Sequence, residues 1–429
     1  MARHGATLGL LLLLSTAVAC DTAGEHEGCA DGTDPSACAR STFPAQDTKA
    51  RDVAGIVRRG EDGVPAALVR VAPAVNSIDT GSFTTTVSTD AVGLYRARGR
   101  VSSLYDLSFV LPGGPDGRPD VMVFRGVAYR YFEPQLDVAG RSLPRSWAGH
   151  VNVHLDAPLA EGHTLLFLAF GDGVYGVTGD LQTGLDVHTA RFEQSATIRA
   201  VEYDAAKGLI SASAYGHADV ISDAGTAAAV TLHLDPITET KTPVFTIDLP
   251  PGFIPGAVDI RIGSSRTSDA LLASIPWGQS MAVPIVPEQG YTYHLRATRA
   301  DGAISDSGET SFDLAKTTLI SLPAPPEPLL PEAGSTVTGG DPLSALGTGI
   351  LEYVFEPQTA GAPPMHVVGT SAQTVIPDLR ALAVEKVVGD YTWTVRRFPT
   401  MTAVENMWGA DARRYRPVAI SAPRSFSLR

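Results

Sequence analysis

Tyr291-Thr292-Tyr293-His294-Leu295-Arg296-Ala297-Thr298 is the stretch that decides the fold class. Tyr291, Tyr293, Leu295 and Ala297 alternate with Thr292, His294, Arg296 and Thr298. A period of two places the first set on one face of an extended strand and the second on the other, so one face is buried and one is solvated. The same beat recurs elsewhere. Tyr105, Leu107 and Phe109 alternate with Asp106 and Ser108, and Val151, Val153 and Leu155 alternate with His150, Asn152 and His154. Leu351, Tyr353 and Phe355 follow it, as do Tyr391, Trp393 and Val395. Each run is short and ends at Gly, Pro, Asp or Ser, residues that turn a chain between strands. Long amphipathic helical windows are nearly absent. The best of them, 376–388, follows the strand-like Thr374-Val375 and has room for one short helix at a sandwich edge. The pattern predicts an all-β chain of tandem β-sandwich modules.

Composition narrows the function. The chain has 429 residues, enough for three or four domains. Its formal net charge of −13 makes it a poor partner for phosphate backbones, which argues against nucleic acid. Arg413, Arg414, Arg416, Arg424 and Arg429 form a locally basic tail. It reads as a solvated edge strand, with a docking patch for an acidic partner as the alternative.

The front of the chain carries an address. Arg3 precedes an apolar run from Thr7 to Thr16, and the small residues Ala17-Val18-Ala19 lead into Cys20. That is the plan of an export signal, and the apolar run falls short of the roughly 20 residues that span a bilayer. Ala17-Val18-Ala19-Cys20 resembles the bacterial lipobox, with Ala17 where that motif usually has leucine. The resemblance implies a bacterial lipoprotein, cut after residue 19 and acylated at Cys20 with palmitate-type chains. A plain secreted protein that begins with cysteine is the competing reading. Several acyl chains would hold the protein on a membrane without any spanning helix.

Cys29 and Cys38 are the only other cysteines. Once Cys20 carries lipid, they form one candidate disulfide in an oxidising compartment, against the alternative of two free thiols. From residue 20 to 51 large apolar residues are almost missing, so this stretch reads as a disordered tether.

A family resemblance follows the tether. Val53-Ala54-Gly55-Ile56-Val57, Gly63-Val64-Pro65 and Leu68-Val69-Arg70-Val71 come first. Then come Thr89-Asp90, Gly93-Leu94-Tyr95 and Tyr105-Asp106-Leu107. The order resembles the carboxypeptidase regulatory-like domain, a small transthyretin-like sandwich, over 52–112. The resemblance implies an accessory or spacer module with no catalytic residues. Within it Asp90 and Gly93 should make a turn that delivers Tyr95 to the core. Two further sandwich-like regions are expected at 113–240 and 241–322. The Pro-rich segment 323–328 reads as a semi-rigid spacer. The stretch 329–429 is similar to a fibronectin type III or Ig-like domain, on the strength of Tyr391-Thr392-Trp393-Thr394-Val395.

Candidate chemistry is sparse. Gly171-Asp172-Gly173-Val174-Tyr175-Gly176 spells a dinucleotide fingerprint, but turn residues and strands follow where a helix is required, so a glycine-rich hairpin is expected and no nucleotide. His150 and His154 on one strand stand about 13 Å apart, too far for one metal unless the strand bends; His163 and His188 are the candidates to join them from neighbouring strands. Asp172, Asp180, Asp186 and Glu193 lack the spacing of a calcium loop. No G-x-S-x-G, H-E-x-x-H or P-loop is present. Catalytic residues, metal and cofactor are therefore all expected to be none. Trp393 and its strand neighbour Tyr391 read as core, whereas Trp277 and Trp408 fall in loops, where they either stack on sugar rings or plug a sandwich end.

The sequence thus predicts a non-enzymatic cell-envelope lipoprotein, lipid-anchored in the outer membrane or on the periplasmic face of a membrane. Its role would be that of a structural, adhesive or ligand-presenting scaffold, with polysaccharide or envelope proteins as partners. The alternative is a carbohydrate-active or peptidase accessory protein with a site within 120–240.

Overall fold

The computed structural model describes residues 51–429, apart from 60–61, 75–83, 100–103, 114–117, 129–146, 172–173, 176–184, 190–192, 224–225, 264–269, 385–387, 399–403 and 405–416. The leader, Cys20, Cys29, Cys38, the tether, Trp408, Arg413, Arg414 and Arg416 lie outside the described residues. The described chain is all-β, with three-residue 3-10 turns at Leu209–Ser211 and Arg380–Leu382 and 3-10 backbone at Val404. The second of these turns is the helix present among the described residues of 376–388. Among the described residues no helix is long and apolar enough to cross a membrane.

The first module is a two-layer sandwich. Arg51–Ile56 pairs antiparallel with Leu94–Gly99 in one layer. The other layer runs in the order Asp120–Val127, Tyr105–Leu111, Leu68–Pro73, Thr85–Ser88. The expected turn is present: Asp90 Oδ1 accepts the backbone N–H groups of Val92 and Leu94 at 3.0 and 2.8 Å. Gly93 sits at φ +80, and a Cβ there would meet the Val57 carbonyl oxygen at 2.6 Å, so only glycine fits. Tyr95 then enters the core and meets Phe109 edge-on at 5.7 Å, and Phe109 meets Phe124 at 5.8 Å. Buried Thr89 ties the layers together, accepting from Ala67 N–H at 2.8 Å and donating to the Val64 carbonyl at 2.6 Å.

The C-terminal module packs Gly389–Phe398, Ile350–Pro357 and Met365–Gly369 against Glu327–Leu330, Pro342–Leu346 and Gln373–Val375. Trp393 stacks with Tyr353 and Phe355, and Tyr391 with Phe426, filling that core as the alternation requires. The middle of the chain holds an eight-stranded sheet, closed at one side by a parallel pair between Trp147–Leu155 and Thr226–Leu232. It is followed by a module in which Phe253–Ile262 and Tyr291–Arg299 pack on Val244–Asp248 and Thr317–Ser321.

The sandwich modules follow one another along the chain, as expected, and are also fused to one another. The boundary expected after residue 112 falls between two strands of one antiparallel pair, Tyr105–Leu111 with Asp120–Val127. The second of these also pairs in parallel with Met365–Gly369, matching Val121 to Met365 and Phe124 to Val368. Its alternate residues serve two cores. Met122 and Phe124 point into the first module's core, while Val121 and Val123 point into the C-terminal one. A strand shared in this way needs an unbroken apolar run, which Val121-Met122-Val123-Phe124 supplies. In return, Ile350, Val368 and Phe398 of the C-terminal module face the first module's core.

Two more joints complete the fusion. Leu166, Val201 and Tyr215 share a core with Ile260, Leu272 and Val283, joining the second and third regions. Ile304 and Ser305 pair with Ile420 and Ala419, and the latter strand also pairs with Arg396 and Arg397. The expected spacer at 323–328 is docked: Pro323 accepts the Ser305 hydroxyl at 2.6 Å, and Glu327 and Pro328 belong to a strand paired with Pro342–Leu346.

Candidate functional site

The joint between the first and last modules leaves a cleft of about 340 Å³. Ala74, Leu104, Asp106, Arg125 and Gly126 line it from the first module, and Tyr353, Val367 and residues between Gly369 and Val375 from the last. A β-bulge shapes the first wall. Tyr105 pairs with Val127 and Leu107 with Phe124, so Asp106 alone faces both Arg125 and Gly126. Gly126 takes the left-handed conformation that such a bulge needs, at φ +71. Its N–H donates to Asp106 Oδ1 at 3.0 Å, while Arg125 Nη1 donates to Asp106 Oδ2 at 2.6 Å.

Asp106 is only 3% exposed, so the alternation that assigned it to a solvated face misplaced it. The cause is the C-terminal module, which covers that second face; Val110, on the same face, packs against its core. A buried carboxylate is tolerated because a guanidinium and a backbone N–H engage both oxygens. The opposite wall is held by the Tyr353 hydroxyl, which donates to the Ala372 carbonyl at 3.0 Å. Burial pushes that hydroxyl's pKa well above its ordinary value. Ser371 Oγ accepts the Gln373 N–H at 3.1 Å and sets the turn between the two strands.

Beside the cleft, on the face toward the first module, lies a second charged group. Glu352 is 6% exposed and carries His366 Nδ1 at 2.7 Å on one oxygen and Arg396 Nη1 at 3.4 Å on the other. Burial alone would raise the Glu352 pKa; the His366 hydrogen bond and the His366 and Arg396 charges outweigh it and hold it below the ordinary value. Burial likewise opposes charge on His366, and the Glu352 contact overcomes it and raises the imidazole's pKa.

The 120–240 region offers one arrangement that resembles a triad. His163 Nδ1 lies 2.9 Å from Glu202 Oε1 and 3.4 Å from Ser213 Oγ. A relay needs the acid and the nucleophile on opposite ring nitrogens. Here both address the same one, so the group serves as a strand-to-strand tie. Gly171 and Phe170 pair antiparallel with Val174 and Tyr175, so the described residues of the glycine-rich motif lie in two neighbouring strands. The strand positions of His150 and His154 leave them four residues apart on one strand. Among the described residues no three His, Cys, Asp or Glu side chains converge as a metal site. Trp277 is 51% exposed in the Pro276–Gln279 turn, well away in sequence from every residue of the cleft.

No family model matches the chain, and no curated protein matches it. Among solved structures it is similar to the Bacillus anthracis TIE protein, at 9% identity over 83% of this chain and 71% of that one, with a TM-score of 0.16. It is similar to BcpA, the major pilin subunit of Bacillus cereus, at 12% identity over 87% and 95%, with a TM-score of 0.12. A biofilm associated protein's BSP domain matches at 9% identity over 89% and 96%, with a TM-score of 0.11. Scores of this size carry no argument, and the all-β assignment rests on the strand pairings themselves.

Proposed function

We propose that this chain is a bacterial envelope lipoprotein, held to its membrane by lipid at Cys20. Its body acts as a non-enzymatic scaffold that presents a binding surface to polysaccharide or to another envelope protein. The observation that carries the scaffold reading is the strand Asp120–Val127, whose alternate residues fill two cores. Modules joined by small polar contacts hinge against one another. Modules joined through a common strand do not, so a load or ligand on one is carried by the other. The segment that would bear the tether enters at Arg51–Ile56, in the same module as that strand.

The test is fractionation with mass spectrometry of the mature N-terminal peptide, for the full chain and for Cys20→Ser. The expected outcome is an acylated Cys20 and a membrane-bound protein, with the variant released. An unmodified N-terminus, or a wild-type protein found free in the medium, refutes the anchor.

A further inference from the structure

We propose that the cleft between the first and last modules binds an uncharged saccharide of one or two rings. The proposal deepens the scaffold reading and rests on it for the polysaccharide partner; it moves the contact away from Trp277 and Trp408.

Charge is the first argument. The cleft's ionised lining groups are Asp106 and Arg125, and they neutralise each other at 2.6 Å. An anion would meet a guanidinium whose charge Asp106 already offsets, although Arg125 Nε is a buried donor without a partner among the described residues. A cation would meet a carboxylate whose charge Arg125 offsets and whose two oxygens each already accept a hydrogen bond. Neither charge gains much from a pair that is already neutral.

The remaining polar groups fit hydroxyls. Thr370, Ser371 and Thr374 each donate and accept, and the Gln373 amide does both at separate atoms. Thr370, Ser371 and Gln373 are exposed, so they meet a ligand without prior rearrangement. A sugar hydroxyl also donates and accepts, and matches such a rim in either sense. Between these groups Ala74, Leu104 and Val375 give apolar ground for the ring's C–H faces. Size is the third argument. Small-molecule pockets start at about 300 Å³, and this one has about 340 Å³.

The lining is drawn from both modules, which gives the proposal a signature beyond binding itself. An occupant bridges Asp106–Gly126 and Tyr353–Val375, so occupancy must slow the opening of the joint.

The experiment uses the full mature protein in detergent. Maltose, cellobiose and chitobiose are the neutral probes; a glucuronate-containing disaccharide and spermidine are the charged ones. Binding is read by calorimetry, and the joint by hydrogen exchange over 120–127 and 365–369. The expected result is that a neutral disaccharide binds with a Kd below about 10 mM and slows exchange in both segments. Thr370→Trp should fill the cleft and weaken binding about tenfold or more. Gln373→Ala should weaken it by a smaller factor without adding bulk. Trp277→Ala should leave it unchanged. The proposal fails if no neutral probe binds, if only a charged probe binds, or if binding leaves exchange at the joint unaltered. It also fails if Trp277→Ala abolishes binding while both cleft variants retain it. None of these readouts depends on Cys20 acylation, so either conclusion can fall without the other.

Discussion

Phe398→Ala should loosen a module that begins more than three hundred positions earlier in the chain. Phe398 lies on the C-terminal strand Gly389–Phe398, opposite Ile350, yet it packs with Val53, Phe109 and Phe124 in the first module's core. It is 3% exposed. Removing its ring forfeits a transfer free energy of about 1.5–3 kcal/mol. The void left behind brings the usual total for a buried phenylalanine to about 3–5 kcal/mol. Because the ring belongs to the first core, the loss should appear in the protection of 51–127 as well as in that of 389–398. At about 1.4 kcal/mol per factor of ten, amides that exchange through opening of this core should do so about a hundredfold faster or more. Peptide-resolved hydrogen exchange on the full chain reads this directly. If protection over 51–127 is unchanged while 389–398 loses it, the two modules open separately and the fused architecture is refuted.

Three further outcomes follow from individual contacts. Glu352→Gln should cost about 1–3 kcal/mol and flatten the pH profile of the urea midpoint. In the wild type the raised His366 pKa stabilises fully below about 6.5 and is lost as pH rises through its folded value. The depressed Glu352 pKa stabilises above about 4.5 and is lost as pH falls through its folded value, so the wild-type pair contributes most between the two. An equally curved profile in the variant counts against the pair. Tyr215, pushed up to about 12 by burial and then by its hydrogen bond to Glu288, should titrate lower in Glu288→Gln when followed by tyrosinate absorbance. An unmoved titration would show that the contact does not persist in solution. Gly93→Ala, at φ +80 and facing the Val57 carbonyl, should lower the denaturant midpoint by the equivalent of about 1–3 kcal/mol, and an unchanged midpoint would contradict the turn geometry.

Local order was legible and long-range joinery was not. The period-two runs at Tyr291–Ala297 and Tyr391–Val395 predicted strands and core rings because alternation follows directly from backbone geometry. Asp90 and Gly93 announced their turn for the same reason. Asp106 was misread because alternation shows that a strand has two faces but not that a distant module covers the second. The signal that corrects it is the apolar run Val121-Met122-Val123-Phe124, too continuous for a half-solvated strand. The cleft was invisible because its walls lie far apart in the chain and are brought together by the parallel pairing of Val121–Phe124 with Met365–Val368 and by the cores on either side of it. The Pro-rich stretch at 323–328 failed differently: its composition fits a spacer, and only tertiary contacts reveal that it is docked.

The shared strand also fixes an order of events as the polypeptide is made. Asp120–Val127 is complete long before Met365–Gly369 has been synthesised, so for some 240 residues' worth of growth its outer edge has no native neighbour. An uncovered, strongly apolar edge is a template for pairing with the wrong chain. The nascent first module must therefore be shielded, by a chaperone or by its own transient partners, until the far end of the protein arrives to seal it. Truncations that stop before residue 365 should aggregate rather than yield a tidy amino-terminal fragment.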